Sequence, residues 1–251
     1  MSVIDLQING RIAEITLARA DKRNAMSADM MDQLHAMAHD LSGNDQIDLI
    51  YLHGAGPAFC AGADLEWMQA QQSADRTGKM AEAKRLSNML RALRDMRQPL
   101  VTYAHGAVFG GGLGLLAISD IVYLHKDTKL SFSETKLGLI PATIGPFVVR
   151  KIGTSLARHM FISAEIFDAE RAHFAGLAHH MVEDEGQARA GLEQLQNNGP
   201  AAMAAAKSFV SRLEEDLERD IEHSIEQLAD IWESAEAQDR IAAFLNKGKK
   251  P

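Results

Sequence analysis

The chain has 251 residues, 46% hydrophobic and 24% charged, with a net charge of −8. That is an ordinary globular composition, long enough for one large domain or two small ones. The acidic balance argues against a dedicated nucleic-acid binder, which needs a basic face, yet leaves room for a small anionic ligand at a locally positive site.

The single cysteine, Cys60, excludes an internal disulfide and a Cys₂ or Cys₄ metal site. Met1 to Asp5 lacks the pattern of a signal peptide, and no apolar run has the length of a membrane span. A cytoplasmic location is therefore expected.

In chain order, Ile4, Leu6 and Ile8, then Ile12, Ile15 and Leu17, alternate with polar residues around Asn9-Gly10, which predicts a hairpin. Ser27 opens a helix to about Leu41, with Met30, Met31, Leu34, Met37, Ala38 and Leu41 on one face. Residues 47–53 read as a buried strand and 54–63 as a glycine-rich loop. The polar stretch 71–78 reads as a mobile loop, and a helix is expected from Lys79 to Arg97, stopped by Pro99. Residues 100–105, 121–124 and 130–132 read as strands, and Gly110-Gly111-Gly112 as a turn before an apolar segment. From Ile144 onward only helix patterns occur, with soft breaks expected near Asp220 and Ala235. A β/α core followed by a helical region is the architecture this implies.

Two strand–glycine–helix junctions stand out, Phe59 to Leu65 and Phe109 to Gly114. Small residues there let backbone N–H groups approach a ligand, and two junctions meeting at one point would form a two-donor oxyanion hole. Either one alone reads better as a tight turn with close helix–strand packing. Gly112-x-Gly114-x-x-Ala117 also fits a dinucleotide fingerprint, with Glu134 twenty residues beyond Gly114, but few strand patterns follow it. Glu134 stands alone after an apolar strand: a desolvated carboxyl there could act as acid or base near neutral pH, while its position favours a helix cap. The pairs His35/His39 and His179/His180 read as solvent-facing, His105 as a packed or backbone-bonded histidine, and Cys60 as a small packed residue.

Four ordered motifs together resemble the crotonase superfamily, the enoyl-CoA hydratase/isomerase family, over nearly the whole chain. They are Asp21 to Met26, Ala58 to Leu65, Gly106 to Gly112 and Glu134 to Pro141. The resemblance implies a crotonase-like α/β fold, with a β/α spiral core over 1–195 and a helical assembly region over 196–251. It implies that the N–H groups of Ala63 and Gly111 form the oxyanion hole and that Glu134 is a catalytic acid/base. It places Lys22, Arg23, Ala25, Ala61, Asp64, Leu65 and Lys247 along the coenzyme A moiety. Lys249 and Lys250 lie where its phosphates would be met. No metal or redox cofactor is implied, since CoA arrives with the acyl-CoA thioester substrate, and the partners implied are copies of the chain in a trimer or dimer of trimers.

A second glutamate used by the hydratases falls on Gly114. Either Glu134 then serves both proton transfers of a hydration in turn or another group assists it, and a single glutamate is also the arrangement of Δ3,Δ2-enoyl-CoA isomerases. A noncatalytic acyl-CoA-binding homologue is a third reading. The segments 109–115 and 134–150 are similar to bacterial 3-methylglutaconyl-CoA and isohexenylglutaconyl-CoA hydratases, which share glycine at this position. Their substrates carry a distal carboxylate, for which Lys136 or Arg150 is a candidate partner, Arg150 being better read as a surface charge.

Overall fold

The structure, a computed structural model, describes residues 2–212 and 217–247. The predicted hairpin is β1 (Ile4–Asn9) and β2 (Ile12–Leu17), antiparallel, with Gly10 at φ +62° in the turn. Every later strand of the main sheet runs parallel to its neighbour: β3 (Leu49–Gly54), β4 (Leu100–Ala104), β6 (Ile121–His125) and β8 (His180–Val182), in the order β1-β2-β3-β4-β6-β8. Two short strands, β5 (Ala107–Phe109) and β7 (Lys129–Ser131), pair separately. A strand after residue 144 was not expected, because β8 is three residues long and too short to show a period.

Helix α1 (Ala28–Ser42) starts as predicted: Ser27 Oγ accepts from the Met30 N–H, and Met30, Met31, Leu34, Ala38 and Leu41 are buried. The segment expected to be a mobile loop is largely helical. It is divided between α2 (Leu65–Ser73) and the start of α3 (Arg76–Arg94), and Gln71 is buried. Two aspartates account for this, since Asp64 caps α2 and Asp75 caps α3 through the Gly78 N–H. Helix α4 (Gly111–Ile118) is buried along most of its length, as its apolar sequence requires.

After α4 come α5 (Gly145–Ser163), α6 (Ala169–Phe174), α7 (Glu185–Leu195), α8 (Pro200–Arg212), α9 (Leu217–Trp232) and α10 (Ala235–Lys247). Of the two expected breaks, the one near Asp220 corresponds to the start of α9 at Leu217, and the one before Ala235 is present. Helix α9 sends Ile221 and Ile225 into the main core. Trp232 of α9 and Ala237 and Ile241 of α10 form a satellite cluster with Met68 of α2 and Leu139. Arg91–Glu218 and Arg76–Asp230 ion pairs bracket the α3–α9 contact. No described helix is long and apolar enough to cross a membrane.

Candidate active site

The two glycine junctions meet. Met26 bridges in parallel to Ala63, its N–H bonding the Gly62 carbonyl at 2.8 Å, while the Asp64 N–H returns to the Met26 carbonyl at 2.9 Å. Cys60 bridges to Val108, with the Phe109 N–H on the Cys60 carbonyl at 2.9 Å. These bonds bring the loop after β3 against the loop after β5. Gly62 (φ +102°) and Gly110 (φ +48°) hold conformations that side chains disfavour, and a Cβ on Gly110 would lie 3.7 Å from Gly62 Cα. In each junction the next residue, Ala63 or Gly111, lines a common cavity of ≈ 550 Å³. Neither of their N–H groups donates to a described residue, the Gly111 group because it is the first of a helix.

Glu134 completes the arrangement from β7. It begins a short 3₁₀ turn, Glu134–Leu137, closed by Gly138 at φ +72°, and the turn is anchored to α5 by the Thr135 hydroxyl on the Phe161 carbonyl at 3.1 Å. Its Oε1 would lie 3.6 Å from a Cβ on Gly110, so the carboxyl stands at the doorstep of the second junction. Oε2 is sealed from solvent with no hydrogen-bond partner among the described residues. Burial therefore pushes the carboxyl up to about 7, opposed by a bond to its own backbone. The capping role favoured by position is not found: the turn has no side-chain cap.

The other expected ligand contacts fall into two groups. Ala61 lines the cavity, and its N–H bonds the Arg23 carbonyl at 3.0 Å, which fixes the Lys22–Ala25 loop beside it. Arg23 and Asn24 hold positive φ, and Asn24 secures the strained loop by donating to the carbonyls of Ala55 and Ala58. Lys22 is exposed and 3.8 Å from Glu66, and Leu65 is exposed at the start of α2. Asp64 is different. Its Oδ1 accepts the N–H groups of Glu66 and Trp67, and its Oδ2 takes Arg19 at 2.7 Å, while Arg19 also donates to the Ala25 carbonyl. With its carboxylate occupied, Asp64 contributes position rather than free charge. Lys247 ends α10, and its side chain, like Lys249 and Lys250, lies outside the described residues.

Several other expectations are altered. Gly114 marks a filled position: a Cβ there would lie 2.7 Å from Ile144 Cγ2 and 3.0 Å from Leu90 Cδ1. Gly112 of the dinucleotide fingerprint is equally closed, 2.8 Å from Cys60 Cβ, so those glycines serve helix packing. Cys60 is buried, and its thiol is pushed up to about 11 by that burial. His105 bonds the Gly56 carbonyl at 2.8 Å, as expected of a backbone-bonded histidine. His179 is not solvent-facing: its Nδ1 accepts the Val122 N–H at 2.9 Å, and burial drops its pKa to about 4. Arg150 is neither at the cavity nor a free surface charge, but pairs with Asp220 at 3.1 Å and donates to the Pro146 carbonyl. Lys136 does line the cavity, and so do Trp232, Arg240 and Phe244 from α9 and α10, which sequence reasoning missed because no local pattern ties them to the glycine loops.

The model of the enoyl-CoA hydratase/isomerase family matches residues 7–251. An enoyl-CoA hydratase from Shewanella pealeana is 34% identical, with a TM-score of 0.82, covering 98% of this chain and 94% of that one. An enoyl-CoA hydratase from Bacillus halodurans, 21% identical, shares the fold at a TM-score of 0.89 over 96% of this chain and all of its own. The mitochondrial methylglutaconyl-CoA hydratase of Mus musculus is 29% identical over 97% of this chain and 79% of its own length.

Proposed function

This chain belongs to the enoyl-CoA hydratase/isomerase family, and from that premise we propose that it adds water to a 2-enoyl-CoA of the branched, methylglutaconyl type. The observation that carries the reading is the Glu134 carboxyl, buried beside two unclaimed N–H groups and held near pKa 7. The N–H groups of Ala63 and Gly111 receive the thioester oxygen as it becomes enolate-like. Each such donor is worth roughly 3 kcal/mol in the transition state, because it is preorganised where charge develops. Glu134 takes a proton from water as the oxygen adds to C3 and returns one to C2. A carboxyl near pKa 7 suits both directions, being populated in both states at neutral pH.

The CoA moiety is assigned to the loop side of the cavity, along Lys22, Arg23, Ala25, Ala61, Asp64 and Leu65, with Lys247 reaching a phosphate. The methylglutaconyl assignment is supported by the 29% identical mouse hydratase of that name. Assembly into a trimer or dimer of trimers is supported by α8, which buries no residue and leaves Phe209 and Val210 exposed.

The filled Gly114 position favours a second reading. With no space for a second carboxyl there, a Δ3,Δ2 isomerase in which Glu134 carries one proton from C2 to C4 uses the same groups. The two readings differ in product mass. Incubation with 2-enoyl- and 3-enoyl-CoA panels, including 3-methylglutaconyl-CoA, separates them: hydration adds one water, whereas isomerisation leaves the mass unchanged. Failure of every substrate to react, with acyl-CoA still bound, would leave a noncatalytic binding protein.

A further inference from the structure

We infer that Arg240, with Lys136, forms an anion subsite in the acyl part of the cavity that selects an acyl chain ending in a carboxylate. The inference rests on the hydratase reading of this cavity and names the residue that sets its substrate class. The starting point is charge. Apart from Glu134, the charged side chains lining the cavity are Lys136 and Arg240, and the wall around them is apolar, with Leu137, Leu139, Leu228, Ala243 and Phe244.

Neither cation is neutralised inside the cavity. Lys136 has no ion-pair partner among the described residues. Among the described residues Arg240 spends only its Nε on an acid, Glu236, at 2.9 Å and one helical turn away, in a pair that is solvent-exposed on both sides. Such a pair holds little energy and leaves the terminal guanidinium nitrogens for a second, bidentate acceptor. Glu134 forms no ion pair with either cation among the described residues.

The position of Arg240 is built, not accidental. Gly138 closes the Glu134 turn at φ +72°, and a Cβ there would lie 3.0 Å from Ala237 Cα and 3.1 Å from Arg240 Cδ. Only glycine lets α10 settle this closely on the turn, which lays the arginine stem over the residues that follow Glu134. Two cations with no counter-charge on an otherwise apolar wall describe a place made for an acceptor of negative charge.

Coenzyme A also brings phosphates, so the chemistry shared by both sources is an oxyanion, and the experiment must tell them apart. The wild type, Arg240→Met, Arg240→Lys and Lys136→Met are compared on 3-methylglutaconyl-CoA and on an uncharged 2-enoyl-CoA of similar length. The subsite predicts that the ratio of kcat/KM, charged over uncharged, falls 10- to 100-fold in Arg240→Met and less in Arg240→Lys and Lys136→Met. Thermal melting of each variant separates a folding defect, which lowers both substrates together, from a change in the ratio. A uniform loss on both substrates would assign Arg240 to the CoA phosphates and overturn the inference while leaving the hydratase reading intact. An unchanged ratio would overturn it as well. A wild type inactive on both substrates would remove the hydratase reading itself, a result distinct from either.

Discussion

Two cavities of nearly equal size, ≈ 550 and ≈ 530 Å³, flank the strands. One lies past the carboxyl ends of β3, β5 and β7, the other at the amino ends of β4 and β6. The second is also rich in charge, lined by Arg94, Asp120, Arg150, Lys151 and Lys207. Its charges are occupied. Lys207 meets Asp120 at 2.7 Å, the Asp120 carboxylate also takes the Leu100 N–H, Lys151 donates to the Ser119 carbonyl, and Arg150 meets Asp220. In the first cavity the opposite holds. Two N–H groups, a carboxyl oxygen and an indole N–H have no partner among the described residues. Cavity volume therefore does not separate the two regions; the polar groups that line them do, being paired in one and unpaired in the other. The first cavity also lies at the end where parallel sheets generally bind ligands.

This contrast can be broken by substitution, and the largest effect belongs to Glu134. Glu134→Gln should lower turnover by roughly 10²- to 10⁴-fold, the usual worth of a positioned acid/base, with acyl-CoA binding retained in titration calorimetry. Hydration at the wild-type rate would remove Glu134 from the mechanism. Gly114→Glu comes next. It should not create a two-carboxylate enzyme but should destabilise by about 2–5 kcal/mol, since its side chain meets Ile144 and Leu90 and buries a charge; denaturant melts would show it.

At the paired cavity, Asp120→Ala should cost about 1–3 kcal/mol by stranding Lys207 and the Leu100 N–H. Its kcat/KM should stay at the wild-type value. A loss of turnover without a loss of stability would mean that the second cavity also takes part in function.

The pH dependence of stability gives a finer test. The Glu134 carboxyl is raised to about 7 from an ordinary 4.5, so between those values the folded chain holds a proton that the unfolded chain has lost. Its contribution is full below pH 4.5 and disappears as pH rises through 7. Glu134→Gln should therefore be more stable than wild type at pH 8, by on the order of 1–3 kcal/mol, and equal to it at pH 4. For Lys151 the direction reverses: burial lowers it to about 8, so it destabilises the fold most below pH 8, and the cost fades as pH rises toward 10.5. Lys151→Met should accordingly be more stable than wild type at pH 7, by on the order of 1–2 kcal/mol after the lost bond to Ser119, with the difference shrinking toward pH 10.5 in denaturant melts.

The amino-acid sequence by itself determined what depends on neighbours along the chain. Asn9-Gly10 and the alternation around it required the hairpin, Ser27 the start of α1, and the apolar runs at 47–53, 100–105 and 121–124 the strands β3, β4 and β6. The two glycine junctions and Glu134 were visible as motifs because each lies within one loop. The sequence misread 71–78 because the caps of Asp64 and Asp75 were outweighed by polar composition. It also favoured a cap for Glu134, since a carboxyl's position does not reveal whether its oxygens find donors. Only the tertiary structure decided that Oε2 is left without one, that Gly114 is filled by Ile144 and Leu90, and that α10 sets Arg240 over Gly138. These facts join residues 24 to 102 positions apart. Periodicity and local propensity act over a few residues, whereas burial, and with it the proton affinity of a carboxyl, is a property of everything packed around it.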